Sequence, residues 1–425
     1  MKYFWKFLYN FIVVPLGVVL YYLFSVFSHK MRTGISGRHK TMQRIKKLRK
    51  AHPDRELILF HSASLGEYEQ VKPVVQGIKQ KRPDILTIVS FTSPSGFENA
   101  DRIDAVDLFI YLPFDFRPVI RTFLKELRPD KIIFVTYELW PNVLSVSAKM
   151  GITTYLISAR IRSTSKKWRF YVRGYFTELY NTLDNIYAVT DEDAWELNDI
   201  LTAGRTNVQI LGDPRYDQVI QRAECRSKKN IPQLFTGGFV ICAGSVWEQD
   251  LAVISTPLKN LLQKNPRVKL IIAPHETDDF HVNQVKSQFA SAGFNIQRYT
   301  ELEGACTGRL LVIDKIGLLA ELYHQSDLAF VGGGFKKAVH NVMEPAIAGI
   351  PVIFGPNYHN SRESQQLVKY QGGFSVANAK EFEQILSELL QDKEKYNTVS
   401  AASKKVILSN KGAAVRTVEH ILNNK

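Results

Sequence analysis

The chain has 425 residues, 45% hydrophobic and 23% charged, which excludes a disordered or fibrous polypeptide and gives room for two domains with separate cores. With 55 Lys and Arg against 41 Asp and Glu, the net charge is +14, so an anionic partner is expected: nucleic acid, a membrane surface or a phosphorylated substrate. Three widely spaced cysteines, Cys225, Cys242 and Cys306, form no CxxC pair; they argue against a disulfide framework or zinc site and fit a reducing compartment.

From Phe7 to Phe27 there is no charge. That length suits one bilayer crossing, with aromatics at both ends as at membrane interfaces, so 1–28 is expected to be a membrane-anchor helix. Lys30, Arg32, Arg38, Lys40, Arg44, Lys46, Lys47, Arg49 and Lys50 come next without an acidic residue among them, and 29–52 reads as a basic juxtamembrane segment. The positive-inside rule places the chain beyond Lys30 in the cytoplasm. Charge beside a membrane is better matched to anionic lipid than to nucleic acid.

Apolar runs at 57–60, 85–91, 107–111, 131–136, 152–157 and 185–189 alternate with amphipathic stretches, the rhythm of a doubly wound α/β sheet; this predicts one Rossmann-like domain over 53–212. A second series begins near Phe239 and continues at 268–273, 310–313, 327–331 and 350–354, predicting a second such domain over 233–400, facing the first across a cleft. Between them 213–232 mixes turn residues and charges and reads as a linker. The end, 401–425, reads as a helix.

Loops after the carboxyl ends of parallel strands face the ligand crevice, and the candidate residues sit there. The first strand runs into His61-Ser62-Ala63-Ser64-Leu65-Gly66-Glu67. Glu67 there either takes a proton from an acceptor hydroxyl or closes a capping box with Ser64. Glu138, in Glu138-Leu139-Trp140-Pro141-Asn142, is a second rim carboxylate, suited to acid–base work or to holding a backbone amide or an arginine. Arg160 and Arg162, with Lys166, Lys167, Arg169 and Arg173, form a basic and aromatic stretch that suits phosphate or lipid headgroups; a solvated basic helix reads equally well.

In the second half, Gly244 and Ser245 follow a strand and open a helix, a phosphate-cradling arrangement. Pro274 and His275 end the next strand, and Ile316, Gly317 and Leu318 offer backbone to a base edge. Gly332, Gly333 and Gly334 either let backbone approach a ligand or shape a turn; they precede a helix starting near Asn341. On its first turn Glu344 can hold a ribose or favour the helix dipole.

On the His-x-x-Ser-x-Gly-Glu loop at 61–67, Glu-Leu-Trp-Pro-Asn at 138–142, Ala-Arg at 159–160, and the Gly-Ser, Pro-His-Glu and His-Asn-x-x-Glu-Pro motifs of the second half, the chain resembles the Kdo (3-deoxy-D-manno-octulosonic acid) transferases of Gram-negative bacteria. The resemblance implies a GT-B fold with an acceptor-binding N-terminal domain, a CMP-binding C-terminal domain and a terminal helix that crosses back. It implies inverting, metal-independent transfer of Kdo from CMP-Kdo to the lipid A precursor at the inner membrane, without a cofactor, with Glu67 as general base and Glu138 as a second essential carboxylate. Ser245, His275, Ile316, Gly317, Asn341 and Glu344 would surround CMP. Ser64, Gly66, Arg160 and Arg162 would face the acceptor or an anion. Two departures stand out: Ala338-Val339 replaces glycines before His340-Asn341, and Gly334 replaces a serine. The alternatives are a GT-B transferase using a UDP-sugar and a lipid-linked acceptor, and a membrane-tethered protein that only binds nucleotide.

Overall fold

A computed structural model of the chain describes residues 2–161, 170–202, 204, 206–225, 232–290 and 293–423. The chain divides into two units, Met1–Gln218 with Gly412–Lys425, and Val219–Lys411. The first holds seven parallel strands, β1 (Leu57–Ser62), β2 (Leu86–Phe91), β3 (Leu108–Tyr111), β4 (Lys131–Val135), β5 (Thr153–Ala159), β6 (Asn185–Ala188) and β7 (Asn207–Ile210), in the order β3-β2-β1-β4-β5-β6-β7. The second holds β8 (Phe239–Val246), β9 (Val268–Pro274), β10 (Ile296–Arg298), β11 (Leu310–Val312), β12 (Leu328–Val331), β13 (Val352–Phe354) and β14 (Gly373–Ser375), in the order β10-β11-β9-β8-β12-β13-β14.

Alternation along β1 explains its continuous apolar run. Leu57 and Leu59 enter one buried layer with Phe123 and Leu144, while Ile58 and Phe60 enter the opposite layer with Val71 and Val75; a parallel strand covered on both faces has no polar side to show. Strand order reverses between β1 and β4 in the first sheet and between β8 and β12 in the second. At such a switch point the loops diverge and leave a crevice at the strands' carboxyl ends.

Three strands escape the sequence pattern: β7, β10 and β14. Each lies at a sheet edge and has three or four residues, too short and too half-exposed to build an apolar run. The stretch read as a linker contains a helix, Arg215–Glu224. Where one C-terminal helix was expected there are two, Lys393–Leu408 and Ala413–Asn423, parted at Gly412, which adopts φ +96°. Asp217 accepts from the Gly412 and Ala414 amides at 2.7 and 2.8 Å, satisfying the new helix's orphan donors. Ala414, Val418 and Ile421 complete the first unit's core, and Val418 lies so close to Gly77 that a Cβ there would sit 2.9 Å from its methyl.

Lys2–Ser25 is helical throughout, with a π-helical turn at Tyr9–Val13. Pro15 lies just beyond that turn and cannot donate an amide, a local cause for the wider winding. Phe4–Ser25 is long and apolar enough to cross a membrane. The basic segment is itself a helix, His29–Ala51, and part of the unit rather than a free collar: Ile45 is in the core and Gly37 packs against the Tyr111 ring. Several of its nine cations are tied into the fold, two of them most firmly. Arg49 donates to the Leu127, Arg55 and Arg128 carbonyls, and Arg38 to those of Leu112 and Thr92.

Candidate active site

In the first unit the pairing of β1 with β4 brings the Glu67 and Glu138 loops to the same switch point. Glu67 lies in the first turn of the helix Leu65–Lys81, whose N-cap is Ser64; the Ser64 Oγ accepts from the Glu67 amide at 3.4 Å. The carboxylate turns back on the loop, and its Oε2 accepts from the Ala63 amide at 2.5 Å, so the capping reading is present in the structure. It does not exhaust the residue. Burial, helped by the Glu138 charge, raises the Glu67 carboxyl to about 7 against the pull of the two loop amides. A carboxyl poised there can take and return a proton near neutrality. Gly66 is exposed, with only Ser64 Oγ within reach of a Cβ, at 3.9 Å; packing does not require a glycine there.

His61, first of that motif, is not a surface group. It is buried beneath the rim, with Nδ1 3.0 Å from Ser90 Oγ, and burial holds its ring down at about 3. Arg160 pairs with Asp213 at 2.5 Å, and Arg215 reaches the same carboxylate oxygen at 2.8 Å. Asp213 is fully buried, and the two guanidiniums hold its carboxyl far below the usual range despite that burial. Gln70 connects this cluster to β4: its amide lies 3.5 Å from Asp213 Oδ1 and its carbonyl accepts from Thr136 Oγ1 at 2.9 Å. Arg162, with Lys166, Lys167 and Arg169, lies outside the described residues.

Three candidate loops are launched by a left-handed non-glycine residue: Thr136 before Glu138, Ser158 before Arg160, and Ser245 itself, at φ 59°, 53° and 55°. At Ser158 and Ser245 the strand register also shifts. Such bulges re-aim the chain, and the conformation costs about 1–3 kcal/mol each.

In the second unit backbone packing requires the three glycines. A Cβ on Gly332 would collide with the Ser245 carbonyl oxygen, and one on Gly334 would lie 2.6 Å from the Gly355 nitrogen. The Gly333 amide is engaged too: buried Asp250 accepts from it at 2.7 Å, from Trp247 at 2.9 Å and from Phe335 at 3.2 Å. Part of the expected phosphate cradle is thus filled by the protein's own carboxylate. Gly332→Ala is expected to cost about 1–3 kcal/mol of overpacking, read as a lower thermal midpoint, because the atoms it would meet are backbone and cannot swing aside. Gly244 is required by Tyr323, whose hydroxyl would collide with a Cβ there.

His275, following Pro274, stacks between Trp247 and His340 at 4.2 and 4.4 Å. The Trp247 indole donates to His340 Nε2 at 3.0 Å, and the Lys336 ammonium stands 3.1 Å above the Trp247 ring. Burial, with neighbouring His275 and Lys336, pushes His340 down to about 4, and burial also lowers His275. Both shifts disfavour the charged ring, so the pair is suited to offering hydrogen bonds and ring faces more than charge. Ile316 is 83% exposed beside Gly317 at φ +88°, a bare apolar surface, and Leu318 is the N-cap of the short helix Leu319–Tyr323. Asn341 stands just before Val342, the N-cap of the helix Met343–Ala348, and its Oδ1 accepts from the Met343 amide at 3.0 Å. Glu344 Oε1 lies 3.2 Å from Arg222 Nη1.

Asp213, Asp250, Arg222 and Lys336 were not singled out from sequence. Asp250 had a signal: it stands three residues after Trp247, where a carboxylate reaches back to a helix's first amide. An exposed trio, Glu276, Asp278 and His281, places ligand atoms within 4.8 Å of one another, but His281 Nδ1 is already 2.8 Å from Asp278 Oδ2.

Two parallel sheets with candidate loops at both switch points make this a GT-B-like α/β fold. It is shared, at 15% identity and a TM-score of 0.62 over 87% of this chain and 99% of the other, with UDP-GlcNAc 2-epimerase from Neisseria meningitidis bound to UDP-GlcNAc. A glycosyltransferase from Rickettsia africae ESF-5 aligns with a TM-score of 0.57 and 12% identity over 88% and 100%. The family model for 3-deoxy-D-manno-octulosonic-acid transferase (kdotransferase) matches residues 38–218. The 3-deoxy-D-manno-octulosonic acid transferase of Haemophilus influenzae is 26% identical over 98% of this chain and 97% of its own; that of Aquifex aeolicus is 27% identical over 79% and 86%. The chain is a homologue of the Kdo transferases, and the UDP-sugar alternative is not favoured.

Proposed function

We propose that the protein is an inverting glycosyltransferase that moves Kdo from CMP-Kdo to the lipid A precursor, on the cytoplasmic side of the inner membrane, with neither metal nor cofactor. The observation that carries the mechanism is the Glu67 carboxyl, raised to about 7 at the β1–β4 switch point. As the acceptor hydroxyl oxygen bonds to the anomeric carbon of Kdo, Glu67 takes its proton. The bond from that carbon to the CMP phosphate oxygen breaks, and CMP leaves with the electron pair. Glu138 keeps the base poised through its charge. The second unit's rim, with Ser245, His275, Lys336 and Asn341, suits the departing phosphate, Ile316 to Leu318 the cytosine, and Glu344 the ribose. Arg160 or Arg162 suits the Kdo carboxylate or an acceptor phosphate.

The test is a transfer assay with CMP-Kdo and the lipid A precursor, followed by product mass. A base must be ionised to act, so kcat/KM is expected to fall tenfold per pH unit as pH drops below about 7, and to level off above it. A profile flat down to the ordinary carboxylate range near pH 4 would remove Glu67 from that role.

A further inference from the structure

The N-terminal helix is seated along the first unit instead of standing away from it. The Tyr9 hydroxyl donates to buried Asp115 at 2.7 Å, and Asn10 Oδ1 accepts from the Asn142 amide group at 2.8 Å. Asp115 also receives the Asn142 and Val143 amides at 3.0 and 3.1 Å, so the helix is joined to the element that follows Glu138. The π-helical turn contains Tyr9 and Asn10, the two polar groups that make these bonds. Trp5 meets Tyr175 at one end, with ring centroids 6.5 Å apart, and Tyr21 and Tyr22 meet Phe114 at 5.5 and 6.1 Å near the other. Val14 and Ser25 are buried on the same side.

The opposite face is bare and apolar: Phe7, Phe11, Leu16, Leu23 and Phe27 are each more than half exposed. Beside it the His29–Ala51 helix turns Lys30, Arg32, Lys40, Arg44, Lys46, Lys47 and Lys50 outward. Between the two helices runs an open groove of ≈ 500 Å³ in which Arg32 and Lys40 lie next to Tyr22 and Ile35. Cation beside hydrocarbon matches an anionic phospholipid, headgroup over chains.

We propose that this helix lies in the plane of the membrane, sunk into one leaflet by its bare face, with the neighbouring cations on anionic phospholipid headgroups, and does not cross. The inference rests on the membrane location proposed above. Trp5 to Ser25 spans about 30 Å at ~1.5 Å per residue, close to the whole hydrocarbon thickness of about 30 Å. With both ends fixed to one folded unit, a crossing would draw Asp115, Asn142 and the unit's surface into hydrocarbon, where polar groups are costly. Lying flat leaves every one of those bonds in place. Interfacial helices combine such an apolar face with cations at the headgroups.

The full-length chain with Cys225→Ser, leaving only buried Cys242 and Cys306, is to carry Lys6→Cys or Lys30→Cys. Each is reacted with a membrane-impermeant maleimide in inverted and in right-side-out inner-membrane vesicles. The expected result is equal labelling of both positions in inverted vesicles and none in right-side-out ones. Labelling of Lys6→Cys only in right-side-out vesicles would overturn the in-plane geometry while leaving membrane attachment intact. A chain that failed to sediment with vesicles rich in phosphatidylglycerol would overturn both.

Discussion

Glu67→Gln is expected to lower turnover about 10²–10⁴-fold, the range that a positioned general base supplies, while CMP binds as before. The substitution is close to isosteric, and its carbonyl oxygen can still accept from the Ala63 amide that the carboxylate holds at 2.5 Å, so the loop keeps its path. What the amide cannot do is take a proton. Nor does it feel the charge of Glu138, which in the native protein helps burial raise the Glu67 carboxyl; the pH dependence below about 7 should therefore vanish from any residual activity. CMP affinity by calorimetry, measured beside turnover, separates the two roles. Unchanged turnover would reduce the Glu67 carboxylate to the loop-holding function that its Ala63 contact already displays.

Asp213→Asn should have the largest effect on stability. The native carboxylate is fully buried and receives Arg160 at 2.5 Å, and Arg215 through both Nε and Nη2, at 3.0 and 2.8 Å. Removing its charge leaves two partly buried guanidiniums facing each other, and breaking such a buried arrangement costs about 3–5 kcal/mol. In a chain of two units the effect is read as an earlier first transition on heating rather than one global midpoint. Because the native carboxyl is held well below its unfolded value, its stabilisation is present above the usual carboxylate range and fades as pH falls through it. The gap between variant and native protein should accordingly narrow in acid. An unshifted first transition at neutral pH would show that the two arginines find other partners.

The inner strands announced themselves because burial on both faces leaves only Val, Ile, Leu and Phe to choose from, as in Leu57 to Phe60. Glu67 and Glu138 were legible for a topological reason, since loops leaving the same edge of a parallel sheet gather at one rim. What stayed hidden depends on partners distant in sequence. Asp213 is set by Arg160, 53 residues away, and Asp250, whose local cap on Trp247 was legible, also holds an amide 83 residues away. Arg222 lay in a stretch whose turn residues and charges mask a helix. The orientation of the N-terminal helix was equally silent. Apolarity sets how much of a helix avoids water, whereas its seat is decided by two polar side chains, Tyr9 and Asn10.

The return of Ala413–Asn423 to the first unit has a consequence for biosynthesis. The ribosome delivers the residues of β1 to β7 first, yet Val418 and Ile421, which finish that core, emerge only after the whole second unit. The first unit must therefore wait, with Val75 and Ile78 uncovered, while the inserted unit forms. A nascent chain stalled before Gly412 would present a folded second unit beside a first one still sensitive to protease, and that order of protection is the reverse of the order of synthesis.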